Sequence, residues 1–205
     1  MNAYDIPAEP LSISEGTIKK SRFITLLAHT EGVEAARAFV QRVKAEHPTA
    51  RHHCWAWVAG PPDDSQQLGF SDDGEPSGTA GKPMLAQLMG SQIGEITAVV
   101  VRYYGGIMLG TGGLVKAYGG GVQQALKQLA RKQKIPMRQF QLRCDYAQLN
   151  DVERLVQRFE GERLKTEFLD VVSLTLALPH AQVAGFMQNL TDISRGALTL
   201  EPVTP

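Results

Sequence analysis

Two long segments of this chain are dense in residues that handle anions and protons. The first runs Phe70-Ser71-Asp72-Asp73-Gly74-Glu75-Pro76-Ser77-Gly78-Thr79-Ala80-Gly81-Lys82-Pro83. The second runs from Val101 to Tyr118 and holds Arg102, Tyr103, Tyr104, Lys116 and the glycines Gly105, Gly106, Gly110, Gly112 and Gly113. Glycines permit φ > 0 and leave backbone N–H groups open to an anion, so the second segment has the composition of a phosphate cradle. A helix starting near Gly119 would add its positive end. The nucleotide-binding fingerprints are nevertheless incomplete. A dinucleotide G-x-G-x-x-G on Gly110 and Gly112 would need glycine at Val115, and a P-loop closing on Gly81-Lys82 would need glycine at Pro76 and a hydroxyl at Pro83. A glycine-built turn that packs strand against helix accounts for the pattern equally well.

Asp72, Asp73 and Glu75 lie within four positions. Carboxylates this close could hold Mg²⁺, share a proton or gate a basic groove. Their spacing does not match an EF-hand, and a solvated Asp-Gly and Glu-Pro turn is the plainer expectation. His52, His53 and Cys54 are adjacent, but neighbouring strand residues point to opposite faces, so no metal site is expected there. Cys54 has no sequence partner to make it a thiolate. Trp55 and Trp57 could stack on bases if exposed, although two tryptophans on one strand face usually belong to a core. Arg22, Lys82, Arg102 and Lys116, with Tyr103 and Tyr104, form the cation-and-aromatic mixture that contacts phosphates and bases in RNA. Each cation could instead pair with Asp72, Asp73 or Glu75.

The elements that must position these residues alternate between helical and strand periodicity. Ile18–Leu27 reads as a strand interrupted by Lys19-Lys20-Ser21-Arg22, and Thr30 as the cap of a helix carrying Val33, Ala36, Phe39, Val40 and Val43. His52–Ala59 alternates as a strand, and Pro83 opens a short helix with Met84, Leu85, Leu88 and Met89. Ile96–Val101 is a strand buried on both faces, broken by Arg102–Gly106. A helix with Val122, Ala125, Leu126 and Leu129 follows, ending in a basic run through Lys134 and Arg138. Beyond the linker-like Ile135-Pro136-Met137 the order is strand 139–146, helix 149–159, strand 164–168, strand 171–178, a helix opened by Pro179, and strand 197–200. That β-α-β-β-α-β order is a ferredoxin-like unit. The chain is expected to divide into domains at 1–135 and 139–205.

Formal charge balances at 21 basic and 21 acidic residues, so the whole chain lacks the basic excess of a dedicated nucleic-acid binder. The charge is placed unevenly. Residues 1–138 carry 15 Lys/Arg against 12 Asp/Glu, and residues 139–205 carry 6 against 9, which argues for two units with different surfaces. Two distant cysteines do not make a disulfide framework. No apolar run reaches the ~20 residues that span a bilayer, and the N-terminus lacks a signal-peptide pattern. A cytoplasmic protein without membrane contact is expected.

Together with Lys20-Ser21-Arg22-Phe23-Ile24 and Arg51-His52-His53-Cys54-Trp55-Ala56, the two long segments resemble the signature of the IMPACT family, in its bacterial two-domain form, over essentially the whole chain. The resemblance implies an α/β fold: an N-terminal domain like the second domain of ribosomal protein S five and a C-terminal domain like the ferredoxin-like fifth domain of elongation factor G. It implies work around RNA or ribosomes, a translation-associated protein partner, and no established catalytic residues or cofactor. The expected contact set is Arg22, Lys82, Arg102, Tyr103, Tyr104, Gly110, Gly112, Gly113 and Lys116. Two alternatives stand beside RNA binding: a Mg-dependent enzyme acting on a phosphorylated small molecule or nucleotide, and a protein-interaction module.

Overall fold

The computed structural model describes residues 2–14 and 16–204, which form two compact units, Tyr4–Lys134 and a second containing Ile135 onward. The first unit is built on a sheet of β2 (Leu11–Ile13), β4 (Ser21–His29), β7 (Ile96–Tyr103), β5 (His52–Val58) and β6 (Leu68–Ser71), in that order, with β3 (Thr17–Ile18) also pairing with β4. All of these pairings are antiparallel. The central strand β7 is apolar on both faces because both are covered. Val99 and Val101 pack with Phe39, Val40 and Val43 of α1 (Val33–Glu46). Ala98 and Val100 pack with Met84 and Leu88 of α2 (Gly81–Gly90) and with Leu114, Tyr118 and Val122 of α3 (Gly110–Gln128).

Several local expectations are corrected. The cluster at Lys19-Lys20 is not an interruption but a two-residue hairpin turn between β3 and β4, and both lysines take left-handed φ of 45° and 64°. That backbone twist suits a tight hairpin but is normally supplied by asparagine or glycine. Thr30 does not cap α1, which starts after Gly32; its hydroxyl is buried against that of Thr97 at 2.6 Å. Strand β7 continues through Arg102 and Tyr103 rather than breaking there. The glycine-rich segment is not a loop up to Gly119. It becomes helical at Gly110, because the buried stripe Leu114, Ala117, Tyr118, Val122, Ala125 and Leu126 outweighs the poor helix propensity of glycine. The basic run after α3 is not a helix end. It is β8 (Arg131–Lys134), paired with β1 (Tyr4–Pro7).

A buried carboxylate fastens this β1–β8 ribbon. Glu95 accepts from Tyr4 Oη at 2.6 Å and from Lys134 Nζ at 2.6 Å, and lies 2.7 Å from His29 Nε2. Burial would raise its carboxyl pKa, but bonds from Lys134, Tyr4 and His29 hold it below the usual carboxylate value.

The second unit has β9 (Met137–Cys144), α4 (Leu149–Arg158), β10 (Glu162–Phe168), β11 (Val172–Pro179), α5 (Val183–Ser194) and β12 (Glu201–Pro202). Its antiparallel sheet has the order β10-β11-β9-β12, the arrangement a split β-α-β-β-α-β unit produces. Phe140, Leu142, Leu174 and Leu176 face Val152, Leu155, Phe186 and Leu190 of the helices. The last strand lies at 201–202 rather than 197–200, although Leu198 and Leu200 are buried. Pro179 ends β11 instead of opening α5.

Candidate functional site

At one end of the first sheet, the start of β4, the start of β5 and the end of β7 come together: Phe23 and His52 both register with Arg102. The two-fold alternation of β7 sends Arg102 to the α2–α3 face, with Ala98 and Val100. Its side chain is 5% exposed. Nη1 donates to both oxygens of Glu75 at 3.0 and 2.8 Å, and Nε donates to Ser21 Oγ at 3.3 Å. Glu75 also accepts from Tyr118 Oη at 2.5 Å and lies 3.2 Å from His52 Nε2. His52 Nδ1 is 2.7 Å from the Asp73 carbonyl. Both partners of that imidazole are acceptors. Buried beside Glu75, the Tyr118 hydroxyl is pushed far above its ordinary value, chiefly by loss of water.

The three carboxylates of the acidic trio each meet different partners. Asp72 accepts from the backbone N–H groups of Gly78, Ala80 and Gly81 at 2.9 to 3.1 Å, tying the loop to the start of α2. Burial opposes ionisation there, but those N–H groups hold its carboxyl below the usual value. Asp73, at φ 40°, accepts from the His53 backbone N–H at 2.7 Å. Glu75 is taken by Arg102 and Tyr118. With their oxygens directed to separate partners, the three carboxylates leave no common ligand set, and no metal-competent cluster occurs among the described residues. Cys54 lies on the same side, its thiol donating to the Asp72 carbonyl at 3.0 Å, and burial pushes it far from its thiolate form. Trp55 and Trp57 stack on each other at 4.2 Å, with Trp57 in the core.

Above Arg102 and Glu75 opens a cleft of about 410 Å³, lined by Arg51, His52, Tyr104, Met108, Gly110 and Thr111 among others. The exposed Tyr104 ring lies 4.8 Å from the Arg51 guanidinium and 5.2 Å from that of Arg102. Met108 is 81% exposed at the rim. The first turn of α3 has no acidic residue and no side-chain cap, so its positive end is uncompensated. Gly105 shapes this end of the sheet. A Cβ there would overlap the Lys20 carbonyl, and its N–H donates to Ser21 Oγ at 3.2 Å.

The nine expected contact residues thus separate into three places. Arg102, Tyr104, Gly110, Gly112 and Gly113 gather at the cleft and the adjoining first turn of α3. Lys82 and Lys116, both exposed, share a groove of about 520 Å³ between α2 and α3. Tyr103 turns to the α1 face, where its hydroxyl meets His47 Nδ1 at 2.6 Å and Arg22 lies 6.0 Å from its ring. Arg102 is buried and paired with Glu75, the ion-pair alternative that its sequence setting left open. Arg51 and Met108 were missing from the expected set. A cation one residue before a strand and beside a Tyr-Tyr strand end was the available signal for Arg51.

Residues 19–126 match the Impact N-terminal domain, and residues 142–197 match a domain of unknown function (DUF1949). The chain is 64% identical over 200 residues to IMPACT family member YigZ of Escherichia coli, covering 98% of each chain. It is 56% identical to an IMPACT family member of Haemophilus influenzae, over 98% of this chain and 97% of that one. It is 35% identical to IMPACT family member YvyE of Bacillus subtilis, over 89% and 83%. A solved structure described as a crystal structure of a hypothetical protein matches with a TM-score of 0.74 and 63% identity, covering 100% of this chain and 98% of that one. On these matches the chain belongs to the IMPACT family.

Proposed function

We propose that this protein binds RNA, on or near the ribosome, and acts in the cytoplasm in the regulation of translation. The observation that carries this reading is the clustering of cations, aromatic surface and a helix N-terminus at one end of the first sheet. Exposed Lys19, Lys20 and Arg51 stand there with the half-exposed Tyr104 ring, beside the acid-free start of α3. The carboxylates of that end, Asp72, Asp73 and Glu75, are each bonded to backbone or to Arg102. Cations neutralise phosphates, and arginine and tyrosine planes accept stacked bases. The Lys82–Lys116 groove extends the cationic surface. Of the two aspartates that a Mg-dependent enzyme would use here, Asp72 has its oxygens directed at three backbone N–H groups.

The second unit supports a protein contact alongside RNA binding. Phe168 and Leu169 are 61% and 66% exposed at the β10–β11 turn, and Tyr146 stacks on Phe168 at 6.2 Å. An exposed apolar group of this kind on an acidic unit suits a protein partner. Gradient co-sedimentation of the tagged protein with ribosomal particles, across a salt series and with nuclease, tests the reading. Co-migration that fades with salt and nuclease supports it. Recovery only at the top of the gradient at low salt refutes it.

A further inference from the structure

We propose that the 410 Å³ cleft holds one nucleoside monophosphate unit, presented as the phosphorylated end of an RNA strand. The volume falls within the range of small-ligand sites. Three features of its wall converge on an anion attached to a planar group. First, Arg102 is nearly buried yet lines the cleft. Its Nε and Nη1 are taken by Ser21 and Glu75, and among the described residues nothing accepts from Nη2. A buried ion pair is weak evidence for stability, but it fixes a guanidinium edge in one orientation. Second, Arg51 makes no ion pair with a described residue and lies over Tyr104, forming a guanidinium–ring platform of the kind on which bases stack. Exposed Met108 adds apolar surface at the rim. Third, the first turn of α3 reaches the cleft through Gly110 and Thr111 and carries neither an acidic residue nor a side-chain cap, so its N–H groups are open to an anion.

The phosphate would sit between Nη2 of Arg102, Arg51 and the first N–H groups of α3, with the base over the Arg51–Tyr104 platform. A terminal phosphomonoester suits two guanidinium groups and a helix start better than an internal diester, since it carries more charge. The inference rests on the RNA-binding reading for the source of the ligand; the chemistry itself is shared by a free nucleotide.

The test measures binding of uridine decamers to the full chain, ending in 5′-phosphate, 3′-phosphate or hydroxyl only, with uridine 5′-monophosphate as a separate arm. Arg51→Ala is the principal variant; Thr111→Glu, which sets a carboxylate at an exposed position of the cleft wall and in the first turn of α3, is the second. A preference of roughly tenfold for one phosphorylated end, lost in both variants while thermal stability is kept, is the expected result. Equal affinity for all three ends, with salt-dependent RNA binding intact, overturns the inference and leaves the RNA reading standing. Binding of the mononucleotide but of no decamer, abolished by Arg51→Ala, keeps the cleft chemistry and refutes the RNA source. Binding of neither refutes both.

Discussion

Arg102 Nη1 lies 2.8 Å from Glu75 Oε2, and both side chains are at least 95% buried beneath the open cleft. A charge pair in that position holds the Asp72–Gly81 loop against the end of β7. Removing Arg102 leaves Glu75 buried without its guanidinium partner, with Tyr118 and His52 still beside it. Arg102→Ala is therefore expected to lower stability by roughly 3–5 kcal/mol, and the double variant Arg102→Met/Glu75→Gln to recover much of it. Urea unfolding of both variants measures this. A loss below about 1 kcal/mol in Arg102→Ala would show that the pair is solvated.

Two glycines of the same segment are expected to respond in opposite directions. In Gly105→Ala the new methyl meets the Lys20 backbone, which the tight Lys19-Lys20 turn cannot easily move, so stability should fall by about 1–3 kcal/mol. In Gly112→Ala the methyl meets open space and the helix gains propensity, so stability should rise by up to ~1 kcal/mol. Thermal melts in ligand-free buffer separate the two; a rise in both, or a fall in both, contradicts the packing described here.

Cys54 should be inert in the native protein. Its thiol is held up by burial and donates to the Asp72 carbonyl, so the thiolate is scarce. Disulfide-exchange labelling is expected to modify Cys54 only on the timescale of unfolding, and Cys144, also buried with its thiol raised, likewise. Rapid modification of Cys54 in native buffer would place it at a reactive surface.

Glu95 links the β1–β8 ribbon to pH. Its folded carboxyl titrates below the unfolded one, so its contribution is present above the unfolded carboxylate value and is lost as pH falls through the folded one. Lys134 is shifted upward overall: burial lowers it, but its bonds to Glu95 and Glu31 prevail. Its contribution is complete at neutral pH and is lost only in strong alkali. Glu95→Gln should thus cost roughly 1–3 kcal/mol at pH 7, with the gap to the native protein closing below about pH 4. A gap independent of pH between 7 and 3 would mean that the carboxylate charge contributes nothing.

The strands and helices with strong periodicity were legible in the sequence. Val33–Val43, His52–Val58, Ile96–Val101 and the alternating second unit each bury the face their spacing indicates. Short, polar strands were not. Nothing in Arg131–Lys134 marks a strand, because its pairing comes from β1, far away in sequence, and from Glu95 accepting Lys134. The start of α3 was misplaced because local glycine content argues for a loop, while the packing of Leu114 and Tyr118 argues for a helix, and packing prevails. At the site, residue type identified Arg102, Tyr104 and the glycines, but not their depth. The ladder placing Phe23, Arg102 and His52 side by side is tertiary information, and it is what buries Arg102 and brings Arg51 to the surface beside Tyr104.

If exposed cations of the first unit contact RNA phosphates, RNA affinity must depend on salt through them. Binding of single-stranded RNA would be measured from low to moderate salt for the native protein and for Arg51→Ala/Lys82→Ala/Lys116→Ala, three exposed positions remote from the core. The triple variant is expected to bind more weakly at every salt, with a log–log slope shallower by about 2, at ~0.7 for each phosphate contact removed. An unchanged affinity and slope in the triple variant would contradict it.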